Sequence, residues 1–148
     1  MKVSEIMTPG ARCVGPDVSV IVAAGIMRDL NIGALPVCER DSSNQDHLAG
    51  MITDRDLAVR ALAEARAPQA TPVSAVMTPD IVYAFEDQDV EEVIRLMEVK
   101  QVRRLPVLNR DKHLVGMVSL GDVAVESMQL SGEALKEISQ PGHTSSST

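Results

Sequence analysis

Two hydroxyl residues, Thr53 and Ser119, each stand three positions before an aspartate, in Thr53-Asp54-Arg55-Asp56 and Ser119-Leu120-Gly121-Asp122. Each set follows a glycine and an apolar pair, Gly50-Met51-Ile52 and Gly116-Met117-Val118, where an extended segment would turn into a helix. Two kinds of chemistry suit that pattern. Ser/Thr-x-x-Asp/Glu before a helix is a capping box, in which the hydroxyl accepts from a backbone N–H and the carboxylate reaches back. The same corner can also hold a ligand. A helix N-terminus presents unpaired N–H groups and positive dipole to an anion, and the hydroxyl adds a donor. An aspartate there opposes phosphate but suits the two hydroxyls of a ribose as a double acceptor. The motif alone leaves both readings open.

The two corners match because the chain contains its sequence twice. Val3-Ser4-Glu5-Ile6-Met7-Thr8-Pro9 recurs as Val73-Ser74-Ala75-Val76-Met77-Thr78-Pro79. The register holds through Met27/Met97, Leu35-Pro36-Val37/Leu105-Pro106-Val107 and Arg40-Asp41/Arg110-Asp111. It then shifts by the four residues Ser42-Ser43-Asn44-Gln45 and resumes at His47-Leu48/His113-Leu114. Repetition of this kind defines the architecture before any local reading does.

Each copy reads as strand, helix, strand, strand, helix. The first extended segment is 12–14 in one copy and 81–85 in the other. Asp17, and Asp87 or Asp89, offer N-cap oxygens for the first helix. Val20, Ala23, Ala24 and Met27, continued by Leu30, recur at helical spacing, as do Val90, Val93, Ile94 and Met97. Strands over 34–38 and 47–52, and over 104–108 and 113–118, pair as hairpins. In copy one the second helix runs to about residue 65, with Ala58, Ala61, Leu62 and Ala65 on one face. The segments are copy one at 1–65, a linker at 66–72, copy two at 73–131, and a C-terminal helix and disordered tail at 132–148. The fold class is α/β (α+β), with helices packed on small sheets.

The bulk composition limits the function. The chain has 148 residues, 45% of them hydrophobic, with one Phe, one Tyr, no Trp and eight Met. Its core must be aliphatic, which weakens any reading built on aromatic platforms for base stacking. A net charge of −7 rules out a general basic footprint for nucleic acid, so any anion binds locally. No apolar run reaches the length of a membrane span, and no apolar leader follows the first residues, so no membrane partner and a cytoplasmic location are expected. Cys13 and Cys38 lack metal-ligand spacing and read as buried free thiols. His47 and His113 open equivalent strands. A symmetric metal pair is one reading and exposed hairpin positions the plainer, expected one; no metal is expected to be needed for the fold.

With these residues in order, the chain resembles a tandem pair of CBS domains, a Bateman module. The resemblance rests on the hydrophobic-x-x-Met-Thr-Pro opening, the Leu-Pro-Val strand and the Gly-x-x-Thr/Ser-x-x-Asp corner, all present in both copies over about residues 1–130. It implies a pseudo-twofold pair with two clefts that take adenosine compounds: AMP first, ADP or ATP next, and S-adenosylmethionine or NAD as alternatives. It implies that Asp56 and Asp122 hold ribose, that Thr53 and Ser119 contact phosphate, and that backbone near Pro36 and Pro106 helps hold base or phosphate. It also implies a homodimer. The resemblance sets Thr53 and Asp56 opposite Arg103 and Arg104, with Pro106, in a phosphate-compatible cleft. Ser119 and Asp122 would face Gly33 and Ala34, with Pro36, in a weaker one. The expected function is regulatory adenine-nucleotide sensing without catalysis, with output to a client protein in trans. The rival is a structural dimerisation protein with degenerate pockets.

Overall fold

Each copy completes its sheet and its core with a segment of the other. The computed structural model describes residues 1–128. After a short turn at Val3–Glu5 come β1 (Thr8–Pro9), α1 (Val20–Leu30), β2 (Ala34–Arg40), β3 (Asp46–Thr53) and α2 (Asp54–Asp56). A second short turn at Val73–Ala75 precedes β4 (Ala84–Phe85), α3 (Val90–Lys100), β5 (Arg104–Leu108) and β6 (Leu114–Ser119). Residues 120–128 are helical (α4). The expected tail at 132–148 lies outside the described residues.

The copy-two sheet has the order β1-β6-β5-β4, so its edge strand β1 comes from copy one. The copy-one hairpin β2–β3 is bridged reciprocally by Thr78, from the copy-two opening, against Met51. Val14 adds a parallel bridge to Val37, matching the β4–β5 pairing. The cores follow the same exchange. Val73 and Val76 are buried with Leu35, Val37 and Ile52 of copy one, and Val3 is buried with Leu105, Val107 and Val118 of copy two. Each fully buried valine contributes about 1.5–3 kcal/mol relative to exposure, so both openings anchor firmly in the opposite copy.

The exchange explains the two Gly-Met pairs. A Cβ on Gly50 would lie 2.8 Å from the Thr78 carbonyl oxygen and 2.9 Å from Met77 Sδ. A Cβ on Gly116 would lie 2.7 Å from the Thr8 oxygen and 2.8 Å from Met7 Sδ. Only a residue without a side chain admits the incoming Met-Thr-Pro backbone.

The long helices bury the expected stripe, with Val20, Ala23 and Met27 in α1 and Val93 and Met97 in α3, while Leu30 in the last turn is exposed. Their starts differ from expectation. Ser19 and Asp89 occupy the cap positions, and neither side chain caps. Backbone carbonyls from the chain leading into the opposite copy accept instead: Val20 N donates to Thr71 O at 2.9 Å, and Val90 N to Met1 O at 3.0 Å. Tertiary placement satisfies the donors that Asp17, and Asp87 or Asp89, were expected to satisfy; Asp89 takes the expected cap position without its side chain capping. The second helix of copy one also differs. After α2 the chain winds as π-helical turns over Leu57–Leu62, with Ala63 N bonded to Ala58 O. That wider winding buries Ala61 but leaves Leu62 76% exposed, so the predicted common face does not form. The two sheets meet at an antiparallel bridge between His47 and His113.

Candidate functional site

The hydroxyl–aspartate corners are capping boxes in both copies. Asp56 N donates to Thr53 Oγ1 at 3.1 Å, and Thr53 N donates to Asp56 Oδ2 at 3.0 Å. Asp122 N donates to Ser119 Oγ at 3.0 Å, and Ser119 N donates to Asp122 Oδ2 at 2.9 Å. The β-hairpins place the corners. Thr53 is the last residue of β3 and pairs with Ala34, while Ser119 ends β6 and pairs with Arg104. Asp56 is 7% exposed, and its Oδ1 keeps a 3.7 Å approach to Arg60 Nε. Replacing Asp56 by alanine removes the carboxylate that accepts from Thr53 N and leaves that half-buried N–H without its partner, while the backbone N–H at position 56 keeps its bond to Thr53 Oγ1. Asp56→Ala should therefore lower stability by about 1–2 kcal/mol. A thermal melt of the unliganded variant indistinguishable from that of the parent would contradict this structural role.

A cavity of about 760 Å³ opens between the copies beside the first corner. That volume lies within the range of small-molecule sites. Thr53 lines it with Arg103, Arg104 and Pro106, so four of the five residues proposed for the phosphate-compatible cleft share one space. The fifth, Asp56, is not on the lining and sits behind Thr53 through the hydrogen bonds just described. Gly33 and Ala34 also line this cavity, whereas they were expected opposite Ser119 and Asp122. The cause is the hairpin itself. Ala34 is Thr53's strand partner, and Asp54 N donates to Gly33 O at 2.9 Å. Gly33 is also sterically required, since a Cβ there would stand 3.0 Å from Asp54 Oδ2. Pro36 is fully buried opposite Met51, away from the cavity lining.

Four cationic side chains line the cavity, Arg55, Lys100, Arg103 and Arg104, against two carboxylates, Asp54 and Asp80. In a chain of net charge −7 this is a local excess of positive charge. Arg103 and Arg104 are exposed, and no ion pair within 4.0 Å engages either of them among the described residues. Most of the remaining lining is apolar, with Met51, Ile81, Val82, Val102 and Leu105, beside the polar Thr78 and Gln101. Arg55, Asp54 and Asp80 escaped the motif reading. Arg55 and Asp54 lie inside the Thr-x-x-Asp span, which was their available signal. Asp80 follows the exchanged Met-Thr-Pro and enters only through the strand swap.

Elsewhere, Cys38 is buried and Cys13 half-buried, both as free thiols. Burial pushes both thiols above their ordinary pKa, Cys38 strongly, so both remain protonated. His47 and His113 are not simple exposed hairpin positions. Their rings meet edge-to-face with centroids 4.8 Å apart. No helix among the described residues is long and apolar enough to cross a membrane.

The comparisons agree with this architecture. The family model described as "CBS domain" matches twice, over residues 3–62 and 73–128. The chain is 41% identical over 139 residues to the CBS domain-containing protein YhcV of Bacillus subtilis, covering 93% of this chain and 94% of that one. It superposes with a TM-score of 0.75 on Hypoxic Response Protein I solved with two coordinated zinc ions, at 35% identity, covering 84% of this chain and 97% of that one. It superposes with a TM-score of 0.73 on CBSX2 in complex with AMP, at 26% identity, covering 88% and 98% respectively. The exchanged openings, the paired hairpins and two family matches in one chain identify this protein as a member of the CBS-domain family, a tandem CBS pair.

Proposed function

We propose that the chain is a regulatory module that binds an adenine nucleotide, AMP first and ADP or ATP next, in the cavity between its copies. The observation that carries the proposal is the meeting of Thr53 with Arg103 and Arg104 across one cavity of nucleotide size. Arg103 and Arg104 take the phosphate, with Lys100 beside them, and the Thr53 hydroxyl adds a donor. Asp56 supplies the ribose acceptor from behind Thr53, with Asp54 on the wall next to it. The adenine lies against the apolar lining near Pro106. Binding of AMP by the structural relative CBSX2 supports this ligand class.

Ser119 and Asp122 form the matched corner of a second, weaker cleft outside this cavity; Gly33 and Ala34, expected to face it, line the first cavity instead, and Pro36 is buried. That cleft suits a less anionic ligand such as S-adenosylmethionine. Regulation follows if the ligand binds one arrangement of the copies or subunits better than another, because an indifferent ligand shifts nothing. We further propose a cytoplasmic homodimer that reports to a client protein in trans and performs no catalysis. Its exposed apolar side chains, including Val59, Leu62 and Val125, are consistent with such contacts.

The experiment is a thermal-shift and calorimetric panel of adenosine, AMP, ADP, ATP, NAD and S-adenosylmethionine. AMP at a hundredfold excess over its Kd should stabilise the chain by about 2.7 kcal/mol. No stabilisation by any member at millimolar concentration would defeat this reading and leave the structural dimerisation protein.

A further inference from the structure

The exchange sets His47 and His113 side by side where the two sheets meet, and one carboxylate joins them. Asp41 Oδ2 lies 2.7 Å from His47 Nε2 and 3.3 Å from His113 Nε2. The three residues offer ligand atoms that all lie within 4.8 Å of one another. On a tetrahedral zinc ion with ligands at about 2.0–2.1 Å, adjacent ligand atoms stand about 3.3 Å apart. The observed set needs only small side-chain rotations to reach that spacing.

The carboxylate is oriented for this task. Asp41 Oδ1 accepts from Ser43 N at 2.9 Å, Ser43 Oγ at 2.7 Å and Gln45 N at 3.0 Å. Those donors fill one oxygen and leave Oδ2 facing the two imidazoles. A carboxylate fixed by outer hydrogen bonds is the arrangement that metal ligands use.

The donors come from the four residues that copy one has and copy two lacks. In copy two the shorter turn closes differently. Asn109 Oδ1 accepts from Asp111 N and His113 N, and Asp111 is exposed. The pseudo-symmetric junction thus has two histidines but a single oriented aspartate, a ligand set for one ion rather than two. The three side chains are 20–44% exposed, so an ion can enter and a water can complete its coordination.

We propose that Asp41, His47 and His113 form a binding site for one divalent transition-metal ion, of which zinc is the best match to two imidazoles and a carboxylate. The ion ties copy one to copy two. Asp80 and Ile81 line both the small cavity beside His47 and the large cavity at Thr53, so the site lies next to the nucleotide cleft without sharing its proposed ligands.

The test is titration of the chelator-stripped full chain with Zn²⁺ and with Co²⁺, read by calorimetry, bound-metal analysis and visible absorption. We expect one equivalent bound, a rise in melting temperature, and a Co²⁺ spectrum without thiolate charge transfer. Asp41→Asn, which keeps an acceptor for Ser43 and Gln45, and His113→Gln should each weaken binding at least about tenfold, as loss of a ligand requires. The double variant Cys13→Ser/Cys38→Ser should bind as the parent does. Full-strength binding in both Asp41→Asn and His113→Gln, loss of binding in the cysteine double variant, or no binding by the folded parent at micromolar metal would each overturn the assignment. AMP binding, measured on the same variants, decides the nucleotide reading separately.

Discussion

Gly50→Ala and Gly116→Ala should each lower the melting temperature on the order of 10 °C. The added methyl would meet a backbone carbonyl oxygen at 2.8 Å and 2.7 Å respectively, inside the 3.0 Å limit that real Cβ atoms keep. A carbonyl within a paired segment cannot rotate away as a flexible side chain can. Overpacking of this kind costs about 1–3 kcal/mol. At Gly50 the displaced segment is also bonded through Met51 N to Thr78 O at 3.0 Å and Thr78 N to Met51 O at 2.8 Å. Each such bond contributes about 1 kcal/mol net. The combined loss is about 3–5 kcal/mol if the bonds break with the shift. Gly25→Ala provides the control of opposite sign. It lies within α1, and its added Cβ would meet only the Arg28 side chain at 3.8 Å. That substitution should be neutral or stabilising by up to about 1 kcal/mol. Scanning calorimetry of the three variants checks the pattern. Melting points for Gly50→Ala and Gly116→Ala within 2 °C (about 0.5–1 kcal/mol) of the parent would show that the exchanged openings are not held as described.

Replacing Arg103 and Arg104 together by alanine should weaken AMP binding about a hundredfold and leave adenosine within about threefold. Hydrogen bonds to a charged group contribute about 1.5–3 kcal/mol each, and a factor of ten in affinity is 1.4 kcal/mol. Two cations acting on one phosphate are not additive, so the double variant should fall short of the summed values. The selectivity is the informative part. Neither arginine makes an ion pair among the described residues, so their removal should disturb the fold little. Parallel losses for AMP and adenosine would point to a disturbed cavity. Unchanged AMP affinity would remove both arginines from the phosphate site. Ser119→Ala should leave AMP binding as it is, since Ser119 does not line the cavity.

Much of the site was legible because a motif encodes local geometry. Thr-x-x-Asp before an amphipathic stretch forms its capping box whatever surrounds it, and both copies do so. Arg103 and Arg104 stood out by contrast with Gly33 and Ala34 at matched positions. The pairing of these segments across the clefts was less accessible. Gly33 and Ala34 reach the Thr53 cavity because β2 pairs with β3, so each corner brings its own hairpin partner with it. Asp56 carries the motif's carboxylate, yet the capping bond turns it behind Thr53, and Asp54 takes the wall. The N-caps failed for a related reason. Asp17 is a good cap by propensity, but the Thr71 carbonyl, on the linker leading into the opposite copy, reaches Val20 N first.

The sequence by itself determined the duplication, the hairpins, the two hydroxyl–aspartate corners and the contrast of Arg103 and Arg104 with Gly33 and Ala34. All of these depend on contacts within a few residues or on position-by-position comparison of the copies. Only the tertiary structure decided which copy receives each opening, which walls share a cavity, and that Asp41 stands between two histidines sixty-six positions apart (47 and 113). The physical reason is the exchange. Buried Val3, Val73 and Val76 and the close approaches at Gly50 and Gly116 satisfy the same packing rules within a copy or across two. The choice between them depends on the relative placement of both copies, which no window of local sequence contains.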